Sequence, residues 1–495
     1  MENETKAAKK QDKTYGVRLI FGLFLMFGFG YVVPAWGGIT QSGIAAIGVF
    51  LGMLFLTSTG FGLIFPSLVG LCAMQMTGYY TSVSVVAESL GSTTAYQLIG
   101  FFALAHALRV CGAADIIARW FITRKFTQGR PYLFTLMFML GAVAVGALME
   151  LGGIIFYYAI LESICDQLEY ETTSKWNKLM VMGVNICCCI GFTMIPFKGM
   201  QLVMFGTYAS VLANTGYQVN YGLYMLASVI LGSLVAVTYT LLLRFLWKVD
   251  VSRLKVLDVT TLTGGRSMRM NKEQIIISLA NAIAILYSIL RMFLPAGTAF
   301  TTWYTSISQH TWTAVVLGLL FIIRLDGKPL LNAENTMKEG ISWSVLLSTA
   351  AFVVLGSMIS SGDLGILGWL QGLVGPAVAR LSFPMFMLLI IAATFLITNF
   401  FSSMATGLIM CTLAAPIAAT YAATLGINPT IVGYAILGAD MFAYLTMAAS
   451  ATSPLFLTHK AVVGDNKLIW GVGSFIGVVF ILLSWAVNTT LAYLL

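Results

Sequence analysis

Between Thr398 and Gly407 the sequence reads Thr-Asn-Phe-Phe-Ser-Ser-Met-Ala-Thr-Gly, a knot of hydroxyls with one amide and one glycine inside an apolar stretch. Neutral oxygens at that density suit Na⁺, and a helix beginning among them offers unpaired N–H groups to a carboxylate or sulfate. A simple spanning helix has no use for them at bilayer depth. A helical hairpin that dips into the membrane and turns back does, because irregular backbone there is tolerated only where protein buries it or it lines a cavity. Thr398, Asn399, Ser402, Ser403 and Thr406 are therefore candidate ligands. The competing reading is helix–helix packing through small polar residues.

A second group lies downstream, where Ser450, Thr452 and Ser453 precede Pro454. A proline inside a span removes one backbone donor and frees a carbonyl, so this span is expected to be broken and its hydroxyls to join the site. An ordinary kink satisfied by those hydroxyls is the alternative. Asp440, earlier on the same span, is an intramembrane acid that could bind a cation, carry a proton or pair with a polar neighbour.

The first half of the chain carries a different set. A turn at Met149-Glu150-Leu151-Gly152-Gly153 has glycines but no hydroxyl cluster, and the matching broken span holds Pro196 and Lys198. Isolated charges at depth are expensive, and pairing relieves much of that expense. The sequence therefore suggests that Glu150 and Lys198 pair, the ammonium standing where a Na⁺ would otherwise sit. Otherwise Lys198 reaches the outer interface and Glu150 is protonated.

The elements that must position these groups follow from composition. Of 495 residues, 59% are hydrophobic and 9% charged, with mean hydropathy +0.89, too apolar for a soluble surface. The chain reads as an all-α polytopic membrane protein of about eleven spans of roughly 20 residues. Lys6, Lys9, Lys10, Lys13 and Arg18 lead into the first apolar run without a small-residue cleavage site, so it is expected to be retained. Residues 1–17 form a cytoplasmic tail, 18–248 a first transmembrane half with a re-entrant hairpin at about 132–165, and 249–273 a cytoplasmic linker. A second half, 274–495, carries its hairpin at about 383–422.

Charge supports this layout. With the N-terminus inside and both hairpins re-entrant, all basic residues but Lys198, Arg291 and Arg380 fall in cytoplasmic segments, and the C-terminus is outside. The net charge of +8 thus reflects topology, not a nucleic-acid partner. Cys111-Gly112-Ala113-Ala114-Asp115 through Trp120 is echoed by Ser361-Gly362-Asp363-Leu364 through Trp369. In each half a hairpin and a proline-interrupted span follow, which predicts two inverted-topology repeats.

Other chemistry finds little support. Cys187-Cys188-Cys189 reads as small apolar filler of a helix. His106, His310 and His459 are scattered, and no zinc-protease, nucleophile-elbow or phosphate-loop motif is present. No enzyme, cofactor or transition metal is expected.

The chain resembles the divalent anion:sodium symporters, the dicarboxylate, citrate and sulfate carriers of the ion transporter superfamily. The resemblance runs along nearly the whole chain, including Ile341-Ser342-Trp343-Ser344-Val345-Leu346-Leu347 after the linker. That family's SNTAT pattern at each hairpin tip is kept in part at Ser402, Ala405 and Thr406, and is replaced by Glu150-Leu151-Gly152 at the first tip. Its Thr-Pro-Pro element is reduced to Thr452-Ser453-Pro454 and to Pro196. The resemblance implies a homodimer whose mobile unit, holding both hairpins and both broken spans, moves elevator-fashion. The expected function is secondary transport of a small anion across the cytoplasmic membrane. The substrate would lie among Gly152, Gly153, Pro196, Ser402, Ser403, Thr406, Thr452, Ser453 and Pro454. Na⁺ would lie near Thr398, Asn399, Ser402, Ser450 and Thr452. A proton-coupled or exchange-type carrier using Glu150 or Asp440, with Lys198 in place of a Na⁺, is the alternative. A lipid-acting membrane enzyme and a non-transporting sensor are further ones.

Overall fold

A computed structural model describes residues 14–494, apart from positions 150, 197–198, 214, 258–268, 291–293, 295–297, 367, 370–371, 373–380, 402, 447–448 and 451. Glu150, Lys198 and Ser402 thus lie outside the described residues. The chain is helical, and the only strands among the described residues are Arg324–Leu325 and Lys328–Pro329, paired antiparallel. Among the described residues, six helices are long and apolar enough to cross a membrane. They are Thr14–Val32, Pro131–Met149, Tyr221–Leu246, Phe383–Phe400, Ser403–Leu425 and Lys467–Leu494. Ala95–Val110 with Ala113–Phe121, and Ala333–Gly340 with Trp343–Ile359, form apolar pairs bent by 70° and 66°.

Both expected hairpins are helical and fold back on themselves. In the first, Pro131–Met149 is followed by Leu151–Gln167. A Cβ on Gly153 would lie 2.9 Å from Val145, and the Tyr157 ring packs 4.9 Å from that of Phe138, so the arms run antiparallel. In the second, Phe383–Phe400 is followed by Ser403–Leu425. There Tyr421 packs on Phe383 and Phe386, and its hydroxyl donates to the Leu381 carbonyl at 2.9 Å. Pro384 sits in the first turn of its arm, where no helical bond is lost. Pro416 lies inside the returning arm, which continues to Leu425.

The hairpins open toward opposite ends of the molecule. The first opens where Tyr221–Leu246 ends: the Lys175 ammonium donates to the Trp247 carbonyl, and the Arg253 guanidinium to those of Leu168 and Glu169. The second opens where that helix begins, since the Asn220 amide donates to Thr430 Oγ1 and the Asn428 amide to the Ala492 carbonyl. A helix of 26 residues separates the two ends by about 39 Å.

The order of elements recurs. Thr93–Val110 ends at Gly112, whose φ of 75° suits glycine, and is followed by Ala113–Ile122, the first hairpin and a broken span. Trp343–Ser360 leads through Gly362–Leu364 to Gly365 at φ 72°, then to the second hairpin and another broken span.

Candidate functional site

The first broken span consists of Lys175–Phe192 and Gly199–Ala213. Its leading helix packs on the first hairpin through glycines. A Cβ on Gly146 would collide with the Cys188 carbonyl, and one on Gly191 with that of Val143. The fully buried Cys187, Cys188 and Cys189 belong to this packed helix, as expected of filler. The second broken span is Thr430–Asp440, a non-helical passage, and the short helix Ser453–Leu457. Pro454 lies in the first turn of that helix and is exposed, so it belongs to the start of a new segment and does not kink an unbroken one.

Asn399 holds the non-helical passage in place. Fully buried, it donates through Nδ2 to the carbonyls of Phe395 and Phe442, each at 2.9 Å. Its Oδ1 accepts from the amides of Tyr444 and Leu445, each also at 2.9 Å. Thr398 donates to the Asp440 carbonyl at 3.2 Å, Thr446 to the Asn399 carbonyl at 2.6 Å, and the Ser403 amide to the Ala449 carbonyl at 2.9 Å. The second tip is thus bonded along its length to the second break, which satisfies backbone groups that would otherwise be orphaned in an apolar interior. In this arrangement the Asn399 oxygen is occupied by two N–H donors.

The hydroxyls past the break form one cluster. Ser450 Oγ lies 2.8 Å from Thr452 Oγ1, 2.9 Å from Ser453 Oγ and 2.9 Å from the Ala443 carbonyl, to which Ser453 also donates at 2.8 Å. Cys189 Sγ on the first broken span stands 3.4 Å from Thr452 Oγ1. Gln201 brings its amide nitrogen to 3.0 Å from Met441 sulfur, so the two breaks adjoin.

Asp440 has a different environment. It is fully buried at the last turn before the second break, and neither carboxyl oxygen has a hydrogen-bond partner among the described residues. Its carboxyl carbon lies 3.4 Å from where a Cβ on Gly407 would stand, and Met204 presses on the same glycine. The neighbouring Thr406 hydroxyl is also buried and unpartnered among the described residues. A carboxylate in such a place needs a proton or a bound cation.

The remaining predicted residues divide. Ser403, Thr406, Thr452, Ser453, Thr398, Asn399, Ser450 and Asp440 belong to one region around the second tip and break. Pro196 is buried in the first break, Gly152 is exposed at the first tip, and Gly153 packs on the other arm of its own hairpin. Sequence reasoning missed Asn185 and Gln201. Asn185 is buried with no partner for either side-chain polar atom among the described residues, one helical turn before Cys189. An amide in mid-span was the signal available for both.

Comparisons with known proteins agree with this architecture. The family model described as citrate transporter matches residues 52–438, which include both hairpins and the first broken span but stop just short of Asp440. The crystal structure of the YdaH transporter of Alcanivorax borkumensis is similar in fold, with a TM-score of 0.51 and 14% sequence identity. The alignment covers 91% of this chain and 97% of that one. No curated protein matches the sequence.

Proposed function

The chain belongs to the citrate transporter family, and on that premise we propose that it couples the passage of a citrate-type anion to a cation that neutralises Asp440. It is a membrane-embedded secondary carrier and not an enzyme. The observation that carries the coupling proposal is the buried Asp440 carboxyl with both oxygens unpartnered among the described residues, beside the unpartnered Thr406 hydroxyl. The anion lies between the hairpin tips, against Ser402, Ser403 and Thr406 on one side and Gly152, Gly153 and Pro196 on the other. Opposite entry of the hairpins and the repeated order of elements support an inverted repeat. Clustering of the loops that carry Lys175, Arg253 and Lys467 at one end supports a cytoplasmic placement of that end. Transport by elevator-like movement within a homodimer completes the reading.

A proton is the coupling cation this reading prefers, because it removes the buried charge without the shell of oxygen ligands that a Na⁺ requires. The Na⁺ reading places the ion near Ser402, Thr406 and Ser450–Pro454. There the Ser450, Thr452 and Ser453 hydroxyls, now bonded to one another, would turn toward it, and Glu150 with Lys198 would replace a second ion. Uptake by proteoliposomes separates the two. Citrate, succinate and sulfate are offered with Na⁺ or choline outside, with and without an inward pH gradient. Accumulation that follows the pH gradient in choline supports proton coupling. Accumulation that requires Na⁺ at constant pH selects the Na⁺ site, and no flux with any of these anions overturns the anion-carrier reading.

A further inference from the structure

We propose that a cavity at the mouth of the first hairpin holds the phosphate of an anionic phospholipid. The cavity measures 380 Å³ and lies between three elements: the start of Lys175–Phe192, the end of Tyr221–Leu246 and the start of Lys467–Leu494. Lys175, Lys178 and Lys467 line it, with Asp465 as the one acid. Lys178 is taken by Asp465 at 2.6 Å. Lys175 donates to the Trp247 carbonyl at 2.7 Å, which orients the ammonium without cancelling its charge. Lys467 forms no ion pair among the described residues. Two positive charges therefore face the cavity uncompensated.

The surroundings identify the anion as a lipid. Trp247 at the cavity wall packs edge-on to Phe475, with ring centroids 6.4 Å apart. Phe245, Leu246, Trp470 and Phe475, at the ends of the same two long helices, are all exposed. Basic residues at a helix end above an exposed apolar and tryptophan-bearing surface fit a phosphate with acyl chains running along the helices below it. A soluble anion would draw on the lysines alone and gain nothing from that surface. The cavity stands apart from the transport site, at the end where the first hairpin opens. A phosphate bridging Lys175 and Lys467 would fasten the first broken span to the last helix, alongside the Lys178–Asp465 pair.

The test uses the full-length protein in a neutral detergent. Its melting temperature is followed as phosphatidylglycerol, phosphatidylcholine or inorganic phosphate is added, since a ligand of the folded state alone stabilises it in proportion to occupancy. Phosphatidylglycerol is expected to raise the melting temperature at concentrations where phosphatidylcholine does not. Each lysine near an anionic surface contributes roughly a fivefold gain in affinity, so Lys175→Gln with Lys467→Gln should weaken the effect about 25-fold. Lys328→Gln, on the short strand pair, should leave it unchanged. Equal stabilisation of the wild type and the double variant overturns the proposal, as does equal action of phosphatidylcholine. A shift reproduced by inorganic phosphate also overturns it, in favour of a free-anion site. If the double variant does not fold, Lys467→Gln alone carries the test, with retained phosphatidylglycerol counted by native mass spectrometry. Undiminished retention overturns the proposal.

Discussion

Asp440 and Asn399 stand near one another and do opposite things. Asn399 spends all its hydrogen-bonding capacity on backbone, and Asp440 spends none on described partners. The first pattern belongs to a splint and the second to a group awaiting an ion. Asn399→Ala should therefore leave the Tyr444 and Leu445 amides and the Phe442 carbonyl without their partner. At about 1–3 kcal/mol for a buried group left unsatisfied, several kcal/mol of stability should go. A melting temperature within error of the wild type would refute the splint. Asp440→Asn keeps the shape and removes the charge, so it should preserve folding while uptake loses its dependence on the coupling gradient. Gradient-driven accumulation at the wild-type level in that variant would remove Asp440 from the mechanism. For the proposed pair in the first half, Lys198→Ala with Glu150 kept should change the cation dependence of uptake. Unchanged kinetics across pH and Na⁺ would dismiss the pair.

At the scale of elements, the hairpins and broken spans were legible because hydroxyls, glycines and prolines interrupt otherwise apolar runs. What each interruption does was less legible. Pro454 opens a helix and Pro416 is carried inside one, although the residue type is the same, because the outcome depends on which neighbours can absorb a missing backbone bond. The assignment of Asn399 to ligand or splint was likewise invisible in sequence, since three of its four partners lie more than forty residues away. The close seating of the first hairpin on the first broken span was hidden too, because nothing in the sequence pairs Gly146 with Cys188. That contact predicts a specific sensitivity. Gly146→Ala places a methyl against a backbone carbonyl that cannot swing away, so helices must separate, at about 1–3 kcal/mol. Gly152→Ala, with nothing within 4 Å of its Cβ position, should be nearly neutral for stability. Equal melting temperatures for the two variants would contradict the packing described.

Across the whole molecule, the segment after the second broken span is stitched to the first half at two points. Lys460 pairs with Glu162 on the first hairpin at 3.0 Å, and Asp465 pairs with Lys178 on the first broken span at 2.6 Å. His459 sits between the halves, its ring 4.7 Å from that of Tyr158 and its Nε2 3.9 Å from Glu162, while Nδ1 accepts the Ala461 amide. Burial holds the imidazole below its ordinary range, with Lys460 lowering it further and Glu162 opposing both. A group whose folded-state value is depressed binds its proton more readily when unfolded. Stability is therefore lost as pH falls through the ordinary histidine value of about 6.5. Asp465 is held below the usual carboxylate range chiefly by its Lys178 hydrogen bond, so its contribution is present above about pH 4 and disappears in stronger acid. The melting temperature should thus decline between pH 7 and 5, and His459→Gln should flatten that decline. Asp440 lies in the same protein and could titrate as well, so the comparison is made in the Asp440→Asn background. A slope that survives His459→Gln in that background would mean that the contact between the halves does not sense pH through this histidine. A slope that vanishes would tie acid sensitivity to the seam between the two halves, at the end where the first hairpin opens.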